Sequence, residues 1–412
     1  MKILQISPEG NFGSVGTIAE QIGELIIQNG YQSYIAIGNS KFKSSSILYK
    51  IGNIINRIMH AIETRIFDNN GLGSRTSTKN LIKWIENLNP DLIHIHQLHG
   101  YFINYKVLFE YLRTTKIPIV LTLHDCWTFT GHCAYFESIN CVKWKTHCNN
   151  CELLNDYPKS LIFDNSFNNF ILKKNLFTSV NNLTITTVSN WLSDKVSESF
   201  LKHIPRQVIY NGVDINLFNS INRDTNKVFD SDKKFVVLGV ASPWNERKGL
   251  NDFIELAQIL DDDVIIVLIG LNKKQIKSMP KNIIGLPKVK DKNVLAMHYK
   301  SANLFLNLSI AETFGLTTIE AMACGTPVVV YNSTACPEII GDGTGYVVDK
   351  YDFVKINKII NKIKNNADYN LHSNACVDWV KKKFSSKERY QEYIDLYNKL
   401  LKNKHEKLSN MC

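Results

Sequence analysis

Short runs of β-branched and aliphatic residues alternate with helix-length amphipathic stretches, and this alternation constrains the fold more than any other feature. Ile3-Leu4-Gln5-Ile6 reads as a strand, followed by a loop with Gly10, Gly13 and Gly16 and a helical stretch from Ile18 to Gln28. Runs at 34–37, 92–95, 117–123, 183–188 and 207–210 continue the strand series. Parallel strands need crossovers long enough to hold a helix, so the pattern predicts parallel sheet covered by helices on both faces. The alternation then restarts, with strands predicted at 235–239, 264–269, 304–308 and 328–330 and a helix from Gly249 to Leu260. Between the two series the stretch from Asn219 to Lys234 is rich in Asn and Asp, has no apolar period and reads as a linker. The prediction is an α/β chain of two Rossmann-like domains, 1–218 and 219–385, with a helix and tail over 386–412. In that tail Tyr390, Ile394, Tyr397 and Leu401 form one stripe, which predicts packing on the body.

Charge narrows the partners. Lys and Arg number 48 against 38 Asp and Glu, a net charge of +10. Such a surplus points to nucleic acid, an anionic membrane surface or a phosphorylated substrate. The basic residues are spread along the chain without an aromatic-plus-basic signature, which disfavours nucleic acid. With 44% hydrophobic and 21% charged residues, the chain is no disordered polymer, collagen or coiled-coil rod. The first apolar run ends at Ser7-Pro8, too short for a signal peptide, and the longest, Val264 to Leu271, is strand-sized. A cytoplasmic chain without a membrane span is expected.

The most informative segment is Ala311-Glu312-Thr313-Phe314-Gly315-Leu316-Thr317-Thr318-Ile319-Glu320-Ala321-Met322-Ala323-Cys324-Gly325-Thr326-Pro327, followed by Val328-Val329-Val330. It reads as strand end, loop, short helix and next strand, with Gly325 and Pro327 closing the helix. The N-terminus of such a helix offers free N–H groups to a phosphate. Glu312 precedes the helix and Glu320 lies in its second turn; carboxylates beside a phosphate suit sugar hydroxyls, which donate to them. A surface capping pair would also explain two Glu residues. Upstream, Ser242-Pro243-Trp244-Asn245-Glu246-Arg247-Lys248-Gly249 sets a cation pair at a strand-to-helix junction, suited to a pyrophosphate, although a solvated basic turn reads the same way. His124-Asp125 ends a predicted strand, where sites in open α/β sheets form, and Asp125 is placed to orient the imidazole. His94, His96 and His99 cluster along and after another strand and read as cleft lining toward an acceptor, or as ordinary strand-end polar residues. The Gly10–Gly16 loop lacks Gly-x-Gly-x-x-Gly spacing and no acid ends the second strand, which counts against a dinucleotide oxidoreductase.

The Glu-x-Phe-Gly…Glu-Ala-Met-Ala-x-Gly-x-Pro-Val-Val string resembles the retaining glycosyltransferases of family 4, whose signature has two Glu residues separated by seven positions. The resemblance implies the GT-B architecture, two facing Rossmann-like domains with a cleft between them and a C-terminal helix. It implies that Glu312 contacts the donor sugar, Glu320 the nucleotide ribose, and Arg247 and Lys248 the donor diphosphate. Phe314, Gly315 and Leu316 fall in the same donor-binding stretch. His124 matches a family His near the sugar, and Gly13 and Gly16 match a loop that faces donor and acceptor through backbone amides. His96, His99 and Asp125 are the acceptor-side candidates. The implied donor is a nucleotide-diphosphate sugar, the acceptor a saccharide or lipid-linked oligosaccharide, and the setting bacterial surface polysaccharide synthesis. Arg247, Lys248 and the helix N-terminus before Leu316 would bear the leaving diphosphate's charge, so no catalytic metal is expected. A GT-B-fold nucleotide-sugar epimerase and a non-catalytic sugar-nucleotide-binding protein are the alternatives.

Two features stand apart. Cys133, Cys141, Cys148 and Cys151 follow the spacing Cys-x7-Cys-x6-Cys-x2-Cys within an insert at 131–152, with His132 and His147 adjacent. Four thiolates at this spacing suit a closed structural zinc site, and reduced thiols are the alternative. The insert resembles a sub-branch linked to exopolysaccharide synthesis of the colanic-acid type. From Lys50 to Phe67, Ile51, Ile54, Ile55, Ile58, Met59, Ile62 and Ile66 share one helical face. That face either packs on the N-terminal sheet or lies on an anionic membrane at its inner surface.

Overall fold

The computed structural model describes residues 1–40, 42–219, 234–365 and 369–409. The predicted linker lies almost wholly outside the described residues. Two compact units form: residues 1–210 together with the tail from Tyr390, and Asn211–Arg389.

The first unit holds a seven-stranded sheet of β1 (Lys2–Gly10), β2 (Gln32–Ser40), β3 (Ile47–Lys50), β4 (Leu92–Ile95), β5 (Ile119–Leu123), β6 (Leu183–Thr187) and β7 (Arg206–Val208). Their order is β3-β2-β1-β4-β5-β6-β7, and every pairing is parallel. β4 and β5 are buried throughout, which fits their predominantly apolar sequences, interrupted by His94 and Thr122. β3 was absent from the sequence reading because it is an edge strand whose Ile47 and Leu48 face solvent. The tail helix Ser386–Ser409 lays Tyr390, Ile394, Tyr397 and Leu401 inward, as its stripe predicts, and Tyr393 joins them.

The second unit holds β8 (Phe235–Val240), β9 (Val264–Ile269), β10 (Ile283–Leu286), β11 (Leu304–Asn307), β12 (Val328–Tyr331) and β13 (Gly345–Val348), ordered β10-β9-β8-β11-β12-β13 and again all parallel. β10 and β13 are edge strands that the sequence reading did not contain. Its core gathers Val237, Trp244, Phe253, Leu268, Leu306 and Tyr331, with the Trp244 indole donating to the Ile269 carbonyl at 2.8 Å.

In each sheet the strand order reverses beside its first strand. Loops leaving two neighbouring strands at such a point diverge to opposite faces, and the crevice between them is where ligands bind in open α/β sheets. In the second unit the reversal lies between β8 and β11, whose following loops carry Arg247-Lys248 and Ser309–Gly315. In the first it lies between β1 and β4; after β1 comes a helix that begins at Gly13, and after β4 a loop that carries His96–His99.

Candidate functional site

In the second unit this topology brings together residues 64 positions apart in sequence: the Lys248 ammonium donates to Glu312 Oε1. Asn245 caps the turn Glu246–Lys248 by accepting from the Lys248 N–H at 3.1 Å, which fixes where the lysine starts. Gly249 follows at φ +74°, and a Cβ there would stand 2.3 Å from the Leu308 carbonyl oxygen, so the two loops touch through a glycine. Arg247 Nη1 donates to the Ala311 carbonyl at 2.7 Å, and its own carbonyl accepts from Ile310 N–H at 2.9 Å. Ser309 Oγ donates to Glu312 Oε1 at 3.2 Å, and the Glu312 N–H is held by Thr334 Oγ1 at 2.8 Å. Burial pushes the Glu312 carboxyl pKa up, but Lys248 and Arg247 outweigh it and hold the group below its ordinary value. Glu312 is therefore an ionised acceptor at neutral pH.

The helix Leu316–Ala323 begins at Gly315, φ +99°, with no side-chain cap and no acid in its first turn. Its first N–H groups stay available for an anion. Phe314 points elsewhere: its ring is 2% exposed and packs edge-on to Phe384 at 5.7 Å, so its side chain anchors the loop. Glu320, one helical turn further, accepts from the Tyr299 hydroxyl at 2.9 Å. Loss of solvent around this carboxyl pushes its pKa up to about 7. The two glutamates of the motif thus sit in opposite electrostatic environments, one held ionised by cations and one poised near neutrality. Tyr299, Ser309 and Thr334 carry no motif signal; only the fold places them here.

The first unit differs from the sequence reading at its histidines. His94, His96 and His99 lie inside the fold. His94 bonds Tyr397 Oη at 2.6 Å and Thr122 Oγ1 at 2.7 Å. His96 Nε2 meets Gln5 Oε1 at 2.8 Å, and its Nδ1 stands 3.5 Å from His124 Nε2. Because Gln5 Nε2 donates to the Ala19 carbonyl, its Oε1 must accept, which makes His96 Nε2 a donor. His99 lies between Tyr157 Oη, 3.0 Å, and Asp125 Oδ2, 2.7 Å. Asp125 therefore orients His99 rather than His124, and its other oxygen accepts from Trp127 N–H at 3.0 Å. In place of the acceptor-facing role read for His96, His99 and Asp125 stands a buried polar network: His99 and Asp125 pair with each other, and the nitrogens of His96 face Gln5 and His124. His124 is half-buried, and loss of solvent lowers its pKa to about 4, so it is neutral at physiological pH. Gly13 and Gly16 sit against Glu9: a Cβ at Gly13 would lie 2.0 Å from Glu9 Oε2, and one at Gly16 2.9 Å from the Glu9 carbonyl oxygen.

Residues 15–217 match the family described as Glycosyltransferase Family 4, and residues 220–383 match Glycosyl transferases group 1. The chain belongs to glycosyltransferase family 4. The two matches divide the chain as the strand series does. This glycosyltransferase is 23% identical over 418 aligned residues to a protein of Escherichia coli K12 named as the colanic acid biosynthesis glycosyl transferase WcaC, covering 97% of this chain and 100% of that one. Among solved structures it is similar to sucrose-phosphate synthase of Thermosynechococcus elongatus, TM-score 0.73 at 17% identity over 98% of this chain and 99% of that one. It is also similar to HepE of Anabaena in complex with UDP-glucose, TM-score 0.69 at 16% identity over 97% and 100%. The fold of these neighbours is the GT-B architecture that the motifs imply.

Two regions of the glycosyltransferase lie outside the sites above. The helix Ile54–Phe67 does not pack its apolar face on the sheet. Only His60 and Thr64 are buried, whereas Ile54, Ile55, Ile58 and Met59 are each more than half exposed. His60 Nε2 accepts from the Gly71 and Gly73 N–H groups, so a polar side chain anchors the helix and turns the isoleucines outward. Beside its C-terminal end Leu161, Ile162 and Phe163 are also exposed, and the rings of Phe67 and Phe163 stack at 5.8 Å. A cavity of about 910 Å3 opens on the same helix, lined by Met59, Arg75 and Lys106 among others, and includes none of the residues that the motifs nominate. No helix among the described residues is long and apolar enough to cross a membrane.

The cysteine insert has an aromatic core of its own, Phe129, Phe136 and Trp144, the latter two rings stacked at 4.9 Å. Cys133, Cys141, Cys148 and Cys151 are free and line one small cavity together with His132. Among the described residues, no three His, Cys, Asp or Glu side chains have converged on a point where they could hold a metal ion.

Proposed function

We propose that this enzyme transfers a hexose from a nucleotide-diphosphate sugar to a saccharide, with retention of anomeric configuration, in the synthesis of a bacterial surface polysaccharide. The observation that carries the reading is the Lys248–Glu312 pair with Arg247 beside it, next to the uncapped start of helix Leu316–Ala323. A diphosphate placed there meets two cations and free N–H groups, and the neighbouring sugar meets an ionised carboxylate that accepts from its hydroxyls. Glu320 is the acceptor for the ribose hydroxyls. Gly315 and Leu316 supply the backbone N–H groups. The bond from the anomeric carbon to the diphosphate breaks, and the incoming hydroxyl forms its bond on the same face. Its proton passes to the leaving phosphate oxygen. Arg247 and Lys248 stabilise the developing charge, a role that elsewhere falls to a metal.

The likeness to WcaC supports an exopolysaccharide setting, and the fold shared with a UDP-glucose-bound neighbour supports a nucleotide-sugar donor. The acceptor is lipid-linked in this reading. The exposed isoleucine face of Ile54–Phe67, with Lys50, Arg57 and Arg65 nearby on the chain, lies on the anionic inner surface of the plasma membrane from the cytoplasmic side.

The purified enzyme incubated with a panel of nucleotide sugars is expected to turn over one donor only when a saccharide acceptor is present, giving a product whose anomeric linkage matches the donor's by NMR. Conversion of the donor sugar without any acceptor would establish the epimerase reading instead. Inversion of the linkage would overturn retention.

A further inference from the structure

The cavity of about 910 Å3 beside the helix Ile54–Phe67 is also lined by the first turn of the helix Arg75–Leu88. That volume falls in the range of small-molecule sites. The second helix has 14 residues, no acid in its first turn and no side-chain cap, so its first N–H groups remain available. Its cap residue, Ser74, is turned to a different partner: Ser74 Oγ stands 3.0 Å from His60 Nδ1. His60 Nε2 accepts from the Gly71 and Gly73 N–H groups, and burial lowers the ring's pKa to about 4. The neutral ring therefore carries its proton on Nδ1 and donates it to Ser74, whose own hydroxyl proton has no acceptor among the described residues. Three positions on, Ser77 is 7% exposed and lines the cavity, and its hydroxyl has no hydrogen-bond partner among the described residues. A polar side chain so buried is normally bonded. Arg75, Lys79 and Lys106 line the same cavity, and among the described residues none of them forms an ion pair. Arg75 and Lys79 stand one helical turn apart, a spacing at which like charges repel. Glu63 and Glu110 are the facing acids, so the cavity holds three cations against two carboxylates. Met59 and Phe67 give it an apolar wall, and both are about half exposed on the helix whose Ile55 and Ile58 face outward.

We propose that this cavity binds the headgroup of an anionic glycerophospholipid, with the phosphate at the first turn of Arg75–Leu88. Arg75, Lys79 and Lys106 neutralise the phosphate, and the free N–H groups and the Ser74 and Ser77 hydroxyls donate to its oxygens. Glu63 and Glu110 accept from the hydroxyls of the headgroup. The first acyl carbons lie along Met59 and Phe67, which continue into the exposed isoleucine face. The inference rests on the membrane reading of the Ile54–Phe67 face and deepens it. The isoleucines insert into any bilayer, whereas the cavity makes attachment selective for a phosphate-bearing lipid. A free phosphate has no apolar part to place against Met59 and Phe67, so the lipid is the source.

The test is calorimetric titration of the full-length enzyme with monomeric dihexanoylphosphatidylglycerol, and separately with inorganic phosphate, beside co-sedimentation with vesicles of phosphatidylcholine containing phosphatidylglycerol. The short-chain lipid is expected to bind at one site per chain, more tightly than inorganic phosphate. Lys106→Gln, an exposed position that the fold does not depend on, and Ser77→Ala are each expected to weaken that binding about 10-fold. Lys83→Gln removes the same charge from the same helix outside the cavity and is expected to leave it unchanged. Equal affinity in all three variants would overturn the site, and so would inorganic phosphate that binds as tightly as the lipid. Vesicle binding that persists while the short-chain lipid fails to bind would overturn the cavity assignment and leave the membrane reading standing. Failure of both would overturn the two together.

Discussion

The Tyr299 hydroxyl donates to Glu320 Oε2 at 2.9 Å, from a fully buried tyrosine on a helix that the Glu motif does not include. That bond favours the ionised carboxylate, while burial favours the neutral one and prevails, leaving the pKa at about 7 against an ordinary 4.5. A protonated Glu320 has lost acceptor capacity for ribose hydroxyls. Affinity for a nucleoside diphosphate is therefore expected to fall as pH drops from about 8 to about 6, approaching about tenfold per pH unit on the acid side. Calorimetric titration across that range checks it. Tyr299→Phe removes a bond to the ionised form and is expected to move the midpoint upward; a flat profile in both proteins would refute the ribose assignment. In the free enzyme the sign is opposite. The folded state holds the proton more tightly, so this group's contribution to stability is present below pH 4.5 and is lost as pH rises through about 7.

The Lys248–Glu312 pair predicts an asymmetry between activity and stability. Glu312→Ala is expected to lower turnover at least about 100-fold with the fold intact, because the half-buried Lys248 can reach water. Lys248→Ala leaves Glu312 buried with Arg247 as its nearby cation and is expected to cost about 2 kcal/mol of stability as well as turnover. Denaturant unfolding of both variants beside a turnover assay separates the two effects. Undiminished turnover in Glu312→Ala would refute the donor site.

Exposure of the Ile54–Phe67 face predicts that charge there changes membrane binding and little else. Ile55→Glu with Ile58→Glu is expected to abolish co-sedimentation with anionic phospholipid vesicles. Stability should stay within about 0.5 kcal/mol, as for other surface substitutions. Equal binding of variant and parent to vesicles would remove this face from the membrane.

His94 ties the tail helix to the first sheet through Tyr397 and Thr122. Tyr397→Phe leaves one buried ring nitrogen unpaired, at a cost of about 1–3 kcal/mol by chemical denaturation. Burial also holds the pKa values of His94 and His96 well below 6.5. The unfolded chain then binds more protons, so stability is expected to fall as pH drops below 6.5. Melting curves between about pH 5 and about pH 8 read this directly; a stability independent of pH below 6.5 would contradict it.

Much of this was legible in the chain. Strand–helix alternation encodes parallel sheets because each crossover must pack a helix on the sheet, and the Glu312–Val330 string carries residues of the proposed donor site in one continuous stretch. Edge strands β3, β10 and β13 escaped because short half-solvated strands lack a long apolar run. The partner of Asp125 was misread, and the two readings of the Ile54–Phe67 face stayed open, for one reason. Periodicity reports which residues share a face but not what lies opposite it, and His60, His99 and Gln5 supply those partners from elsewhere in the chain.

By itself the sequence determined the fold class and the family, and it nominated the glutamates and cations of the proposed donor site, since these depend on local spacing and residue chemistry. Only the tertiary structure decided which charges meet. Lys248 reaches Glu312 because the strand order reverses between β8 and β11, and His132 is left with a buried unpaired nitrogen because Asp68, 64 positions earlier, takes its other one. Ionisation states and unpaired atoms follow from neighbours brought together across the chain, and a linear pattern does not contain them.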